Sequence, residues 1–168
     1  MTEEQRRKRN AQKLQELNPA FRLCIEKVIA DLEANSFRPR LQCAYRSPAD
    51  QLEAYRRGAS HVTFSFHNCT TPDGKPDSIA ADFVDEVAPL AMPLQFSLAL
   101  TYFARQAGLT TGGYFGFNKF QRQALDKASD NWKTPDPSVT ISWDRGHTEP
   151  VGITLTEALH GKRPKMGA

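Results

Sequence analysis

The 168-residue sequence contains three cysteines, Cys24, Cys43 and Cys69, and no CxxC pair. An odd, dispersed set of thiols excludes a fully paired disulfide framework and a four-thiolate zinc site. Long hydrophobic runs are also missing. No stretch is apolar for long enough to cross a bilayer, and the start, Met1-Thr2-Glu3-Glu4-Gln5-Arg6, is not followed by the apolar segment of a secretory leader. We therefore expect reduced thiols, synthesis in a cytoplasm and no stable membrane insertion. Charge of one sign is not in great excess: 22 basic and 19 acidic residues leave +3. The one basic run, Arg6-Arg7-Lys8-Arg9, has no interleaved aromatics and lies in no nucleic-acid-binding motif, so it reads as a solvated helix face or frayed terminus rather than a nucleic-acid grip. Internal repeats and interdomain linkers are absent as well.

What is present suits one domain spanning 1–168. With 39% hydrophobic residues and two Trp, the chain is long enough to bury a proper core. Residues 1–13 form a basic helical or frayed amino end, and 160–168 a Lys/Arg/Gly-rich tail expected to be mobile. From about Thr2 to Ala34 helix formers dominate, with Phe21, Ile25, Val28, Ile29 and Leu32 at helical spacing and a break at Asn18-Pro19. Leu41-Gln42-Cys43-Ala44-Tyr45 reads as a buried strand, and Ser47-Pro48-Ala49-Asp50 as a capped helix start that runs to Gly58. His61 to Ser78 is loop-rich, with a turn at Pro72-Asp73-Gly74-Lys75-Pro76. Ile79 to Val84 reads as a strand, Pro93 to Ala107 as a buried helix, Gly112 to Phe117 as a return to the sheet and Gln121 to Pro137 as a helix plus loop. Val139-Thr140-Ile141-Ser142-Trp143 reads as the last strand. The order is α+β.

Three residues in restrictive surroundings point to chemistry: His67 in Ser65-Phe66-His67-Asn68, Asp82 in Ser78-Ile79-Ala80-Ala81-Asp82, and His147 in Trp143-Asp144-Arg145-Gly146-His147-Thr148-Glu149. Two imidazoles and a carboxylate are a ligand set that zinc uses in catalytic sites, with water in the fourth position. Asp144 is then the natural acid to handle protons. Each has a plainer alternative. A lone His is more often surface or structural, Asp82 could end a strand, Asp144 could bridge to Arg145 or cap a turn, and Arg46 could tie down a carbonyl. His61 and His160 have no such context. Cys69 lies two residues from His67, and thiolate is a good zinc ligand. A Cys–His nucleophile built on Cys43 or Cys69 would need a partnered imidazole and an oxyanion hole, and no pattern around either thiol supports one.

Taken in order, Tyr45-Arg46-Ser47 with Gln51 and Tyr55, Ser65-x-His67, Ala80-x-Asp82 and Trp143-Asp144-x-x-His147-x-Glu149 resemble the zinc peptidases of family M15 over roughly Leu41 to Glu149. These include D-alanyl-D-alanine carboxypeptidases and dipeptidases, and the L-alanyl-D-glutamate endopeptidases of phage endolysins. The resemblance implies a small antiparallel sheet flanked by helices, hedgehog/DD-peptidase-like, and one Zn2+ on His67, Asp82 and His147. It implies Asp144 as the proton-transfer group, Arg46 facing the developing oxyanion, and Ser65 and Glu149 orienting the ligands. One departure stands out. The family pattern SxHxxGxAxD puts Asp seven positions after His, whereas His67 and Asp82 are fifteen apart, with Ser78 where Gly is usual. An insertion of about eight residues around Cys69 to Asp77, folded back at the Pro72–Pro76 turn, would let the flanking ligands meet.

The expected function is zinc-dependent hydrolysis of peptidoglycan stem peptides, closer to the L-alanyl-D-glutamate endopeptidase branch. D-alanyl-D-alanine carboxypeptidase is the enzyme alternative, and a non-catalytic cell-wall-binding module the alternative of another class. The expected protein is a monomer that binds a peptidoglycan peptide and no nucleic acid. It would reach the wall after release, through a holin or similar pore, as a phage or prophage lysis enzyme.

Overall fold

A computed structural model describes residues 1–165. The chain opens with α1 (Glu3–Leu14) and α2 (Pro19–Ala34), followed by β1 (Pro39–Cys43), α3 (Pro48–Arg56), β2 (Ala81–Asp85), α4 (Leu94–Gln106), β3 (Leu109–Thr111), α5 (Lys119–Asp130), β4 (His147–Pro150) and α6 (Leu155–Leu159). The four strands form one antiparallel sheet in the order β1-β2-β4-β3. This is the α+β class expected, a small sheet with helices around it.

The first helices end where local chemistry dictates. Asn18 caps α2 by accepting from the Ala20 and Phe21 amides, and Pro19 occupies the first turn, where its missing N–H costs nothing. Ser47 accepts from the Asp50 amide ahead of Pro48 in the same way. Phe21, Ile25, Val28, Ile29 and Leu32 are all buried along one side of α2, against the apolar α4. Each such side chain contributes about 1.5–3 kcal/mol of transfer free energy. Phe37, Phe96, Phe103 and Trp132 close the far side of this core, with ring centroids 5.5–5.8 Å apart along the series.

The basic amino end differs from the solvated face its charge suggests. Arg6 is buried. It pairs with Glu3 and with Glu33 (2.6 Å) and donates to the Pro39 carbonyl. Arg9 donates to the carbonyls of Leu41 and Gln42, and Asn10 both donates to Pro39 O and accepts from the Leu41 amide. The physical reason is that β1 is an edge strand with unpaired backbone groups. Side chains of α1 satisfy them in place of a fifth strand.

Two strand assignments also differ. Val139–Trp143 has the β-branched composition of a strand, yet it pairs with no strand. It holds to the sheet side through the Ser142 amide to Gly113 O and through Ile141 against Gly113. The sheet position is taken by His147–Pro150, between β2 and β3. The return to the sheet comes at Leu109–Thr111, while Gly112–Tyr114 forms a 3-10 turn.

Between His67 and Asp82 the extra residues form a closed hairpin. The Asp77 amide donates to Cys69 O, Thr70 bridges Pro76, and the Thr71 amide donates to Lys75 O. Ser78 then turns the chain inward, donating to Ala44 O. Within the carboxyl-terminal stretch read as mobile, Arg163 bonds to Asp77 (2.6 Å) and to the carbonyls of Thr70 and Ala158. The last three positions of that stretch lie outside the described residues. No helix among the described residues is long and apolar enough to cross a membrane.

Candidate functional site

His67 enters the site on a 3-10 turn, Phe66–Asn68. Two bonds clamp this turn to the start of α3: the Arg46 amide donates to His67 O, and Asn68 Nδ2 donates to Arg46 O at 2.7 Å. The His67 Nδ1–H donates to Ala44 O (2.6 Å), which directs Nε2 at Asp82 Oδ1, 3.3 Å away. Asp82 comes from β2, one strand over from β1. His147 begins β4 directly opposite Asp82 in the register, so cross-strand pairing brings its Nδ1 to 3.0 Å from Asp82 Oδ1. Its other nitrogen, Nε2, lies 3.0 Å from Glu149 Oε2.

Asp144 precedes His147 by a tight turn in which the His147 amide donates to Asp144 O. Two glycines make this turn feasible. A Cβ on Gly112 would stand 2.2 Å from Asp144 O and 3.0 Å from His147 Cβ, and one on Gly146 would stand 2.4 Å from Phe83 O. The gaps to the two backbone oxygens are shorter than any real Cβ contact, so both positions require glycine. The turn presents Asp144 and His147 side by side.

The structure thus brings His67, Asp82 and His147 together. Arg46, Ser65, Asp144 and Glu149 line the same cleft, of about 780 Å³, with Phe115 and the exposed Trp143 on its wall. Ser65 donates to Asn68 Oδ1 and so holds the turn that carries His67. Glu149 contacts His147 directly. His61 sits exposed at the cleft rim, and His160 lies away from it.

Charges are strongly coupled here. Burial would lower the His67 pKa, but Asp82, aided by the Cys43 thiol, overrides it and raises the imidazole to about 10. Burial opposes protonation of His147 too, and Asp82 with Glu149 raises it to about 9. Asp82 is pushed up by burial and pulled down further by the two imidazoles, ending well below the usual carboxylate range. Burial raises Asp144, and Asp82 and Glu149 add to this while the imidazoles oppose it. Two imidazolium ions beside Asp82 and Glu149 carry the same net charge as two neutral imidazoles, the same carboxylates and a divalent cation. Exchanging two protons for one ion is therefore charge-neutral. The donor set fits zinc, and the ring nitrogens turned away from Asp82 already have the carbonyl and carboxylate partners that orient ligating imidazoles.

Two residues named in the sequence were given no role at the site. Gln51, buried without exposed surface, accepts from Arg46 Nη1 (2.9 Å) and donates to Ser60 Oγ and Val62 O, so it fixes the arginine. Its place after Tyr45-Arg46-Ser47 in the motif was the available signal. Cys43 is the other: its Sγ, a His67 nitrogen and an Asp82 oxygen all lie within 4.8 Å of one another. Cys69, the thiol nearer to His67 in sequence, is buried in the core and lines a separate cleft with Asp77 and Arg163.

Fold and site together define an α+β protein with a histidine–carboxylate cluster on the floor of a cleft. No family model matches the sequence, and the search of curated proteins gives no match. Among solved structures, the fold is similar to the crystal structure of the Serratia marcescens L-Ala D-Glu endopeptidase ChiX, with a TM-score of 0.54. The two share 15% identity over 85% of this chain and 86% of that one.

Proposed function

We propose that the protein is a peptidoglycan hydrolase that cleaves stem peptides with one zinc ion held by His67, Asp82 and His147, at the bond between L-alanine and D-glutamate. The observation that carries this reading is the meeting of those three side chains, from separate segments, around Asp82 Oδ1 on a cleft floor. The likeness of the fold to that of a named L-Ala D-Glu endopeptidase supports the choice of bond. Zinc bound there would supply an acidified water and polarise the scissile carbonyl.

The chain's own groups complete the chemistry. Asp144, half-buried and raised in pKa by that burial, is suited to accept the water proton and return it to the departing amine. Arg46, held by Gln51 along the same cleft, offers a permanent positive charge to the oxygen that becomes negative in the tetrahedral state. Glu149 fixes the ring of His147, and Ser65 fixes the turn carrying His67. Trp143 and Phe115, 6.0 Å apart, give the cleft an apolar wall for the peptide. Engagement of Arg6 and Arg9 by β1 favours a protein that does not use its basic run on nucleic acid. The cellular role we assign is that of a monomeric phage or prophage endolysin, released to the wall through a holin-type pore.

The proximity of Cys43 to His67 favours one second reading, a thiol nucleophile. Against it, Cys43 is not among the residues lining the cleft. Chelation should abolish hydrolysis of purified peptidoglycan under the zinc reading, whereas alkylation should do so under the thiol reading. Metal analysis and digestion with wild type, His147→Ala and Asp144→Ala then test the roles. We expect His147→Ala to lose zinc, and Asp144→Ala to keep zinc and lose about 10²–10⁴-fold in turnover. Mass spectrometry of the fragments distinguishes endopeptidase from carboxypeptidase, and zinc binding with no fragments at all would leave a wall-binding module.

A further inference from the structure

Three clefts join in series. The cleft that holds His67, Asp82 and His147 shares His61, Val62 and Leu155 with a second groove of about 340 Å³, and that groove shares Phe64 and Leu159 with a third of about 630 Å³. One wall of the second groove is the last turn of α3, which presents Tyr55. The other is α6, where Leu155 and Leu159 stand one helical turn apart on the same face. Tyr55 is 46% and Leu159 61% exposed, so the groove holds apolar surface that a ligand would bury. Its frame is fixed. Gln51, whose side-chain oxygen accepts from Arg46, donates from its amide to Val62 O, and Arg163 ties the end of α6 to Asp77 and to Thr70 O. The third groove is more polar, with Asn68, Thr71 and His160 on its lining.

Joined clefts, apolar in the middle and polar at the far end, suit a linear amphipathic polymer rather than a compact small molecule. Which end of the substrate enters them follows from the hydrolase chemistry proposed above, on which the inference rests. Asp144 returns a proton to the departing amine, so the D-glutamate fragment leaves along the wall that carries Asp144. The second groove borders the cleft at His61, Val62 and Leu155 and takes none of Asp144, Trp143 or Phe115, so it receives the acyl side of the bond. In peptidoglycan that side is short: one L-alanine, then the lactyl ether of a muramic acid in the glycan strand. An extended residue spans only about 3.3–3.6 Å, so the sugar lies just beyond the cleft. We infer that the groove between α3 and α6 binds the glycan strand, with the N-acetylmuramic acid that bears the stem peptide packed on Tyr55, Val62 and Leu159. The next sugar reaches the polar third groove. Sugar rings offer a C–H face to an aromatic ring, the acetamido methyl suits an aliphatic neighbour, and the hydroxyls bond to amide and hydroxyl side chains. Stems still attached to their strand are then cut in preference to free peptides.

Glycan strands stripped of their stem peptides by an amidase test the groove without any hydrolysis. We expect calorimetry to show binding by the wild type and by Phe120→Ala, whose ring is 79% exposed on α5, and binding about 10-fold weaker in Tyr55→Ala and Leu159→Ala. Hydrolysis gives a second readout. Tyr55→Ala should raise KM about 10-fold on strand-linked stems, hold kcat near the wild-type value and leave cleavage of sugar-free stem peptides unaltered. Leu159 stands at the exposed end of α6, so Leu159→Asp decides if Tyr55→Ala does not fold. No binding of stripped strands by the wild type would overturn the glycan groove, and the hydrolase reading would survive where stems are still cut. Equal losses on sugar-free and strand-linked stems would also overturn it, giving the groove to the peptide. Strand binding that both variants weaken, with no stem cut by the wild type, would uphold the groove and overturn the hydrolase reading.

Discussion

Arg46 rests its guanidinium on Gln51, five residues further along the chain, at 2.9 Å, and Gln51 itself is wholly enclosed. The arginine is therefore held by a residue that never meets the cleft. Gln51→Leu keeps the volume but leaves Arg46 Nη1 without its acceptor and removes the amide donor to Ser60 Oγ and Val62 O, which keep only each other. We expect a loss of about 1–3 kcal/mol in denaturant unfolding. Under the proposed function, kcat should fall more than KM rises. A folded variant with unaltered kcat would show that Arg46 does not need this support.

Gly112 is the point where β3 passes the Asp144–His147 turn. Gly112→Ala places a methyl 2.2 Å from Asp144 O, and the backbone must move because no flexible side-chain end is there to yield. The expected cost is about 1–3 kcal/mol. Thermal unfolding measures it, and zinc retention should weaken in parallel. Gly161→Ala meets no neighbouring atom and serves as a comparison for strain alone.

His67 and His147, raised to about 10 and about 9, are both protonated at neutral pH before an ion binds. Under the proposed function an incoming zinc displaces these protons, so binding should release about two per ion and its affinity should climb as pH rises toward 9. Calorimetry in two buffers of different ionisation heat counts the protons. Affinity independent of pH near neutrality would place the ion elsewhere.

Glu3 is held near a pKa of about 2, first by Arg6 and then by Arg7 and Arg38, against an ordinary 4.5. A depressed carboxylate contributes stability above its unfolded value and loses it as pH falls through the folded one. The window is thus from about 4.5 down to about 2. Acid titration of the melting temperature should show wild type and Glu3→Gln converging at the bottom of that window. Because Glu3 is exposed, added salt should shrink the difference at the top.

Much of the fold was legible where local chemistry decides it. Asn18-Pro19 and Ser47-Pro48 announced helix starts, and the spacing of Phe21 to Leu32 announced a buried face. The gathering of His67, Asp82 and His147 was legible through their surrounding motifs, since no spacing rule links residues so far apart. Pairing was not legible. Val139–Trp143 has better strand composition than His147–Pro150, but the slot beside β2 goes to the segment whose Thr148 hydroxyl also bonds Ala81 O. The place of Cys43 opposite Asp82 was hidden for a related reason: it depends on a slipped register, a property of two strands together. Arg6 looked solvated because nothing in a single helix reveals that an uncovered strand edge lies beneath it.

The hairpin from Cys69 to Asp77 leaves and rejoins the body at one backbone bond, Asp77 N–H to Cys69 O. Closing a longer excursion there costs only logarithmically more chain entropy. The segment is thus an interchangeable cassette. A tag, an epitope or an anchoring peptide could replace its tip at Asp73–Gly74 while the cleft floor stays put.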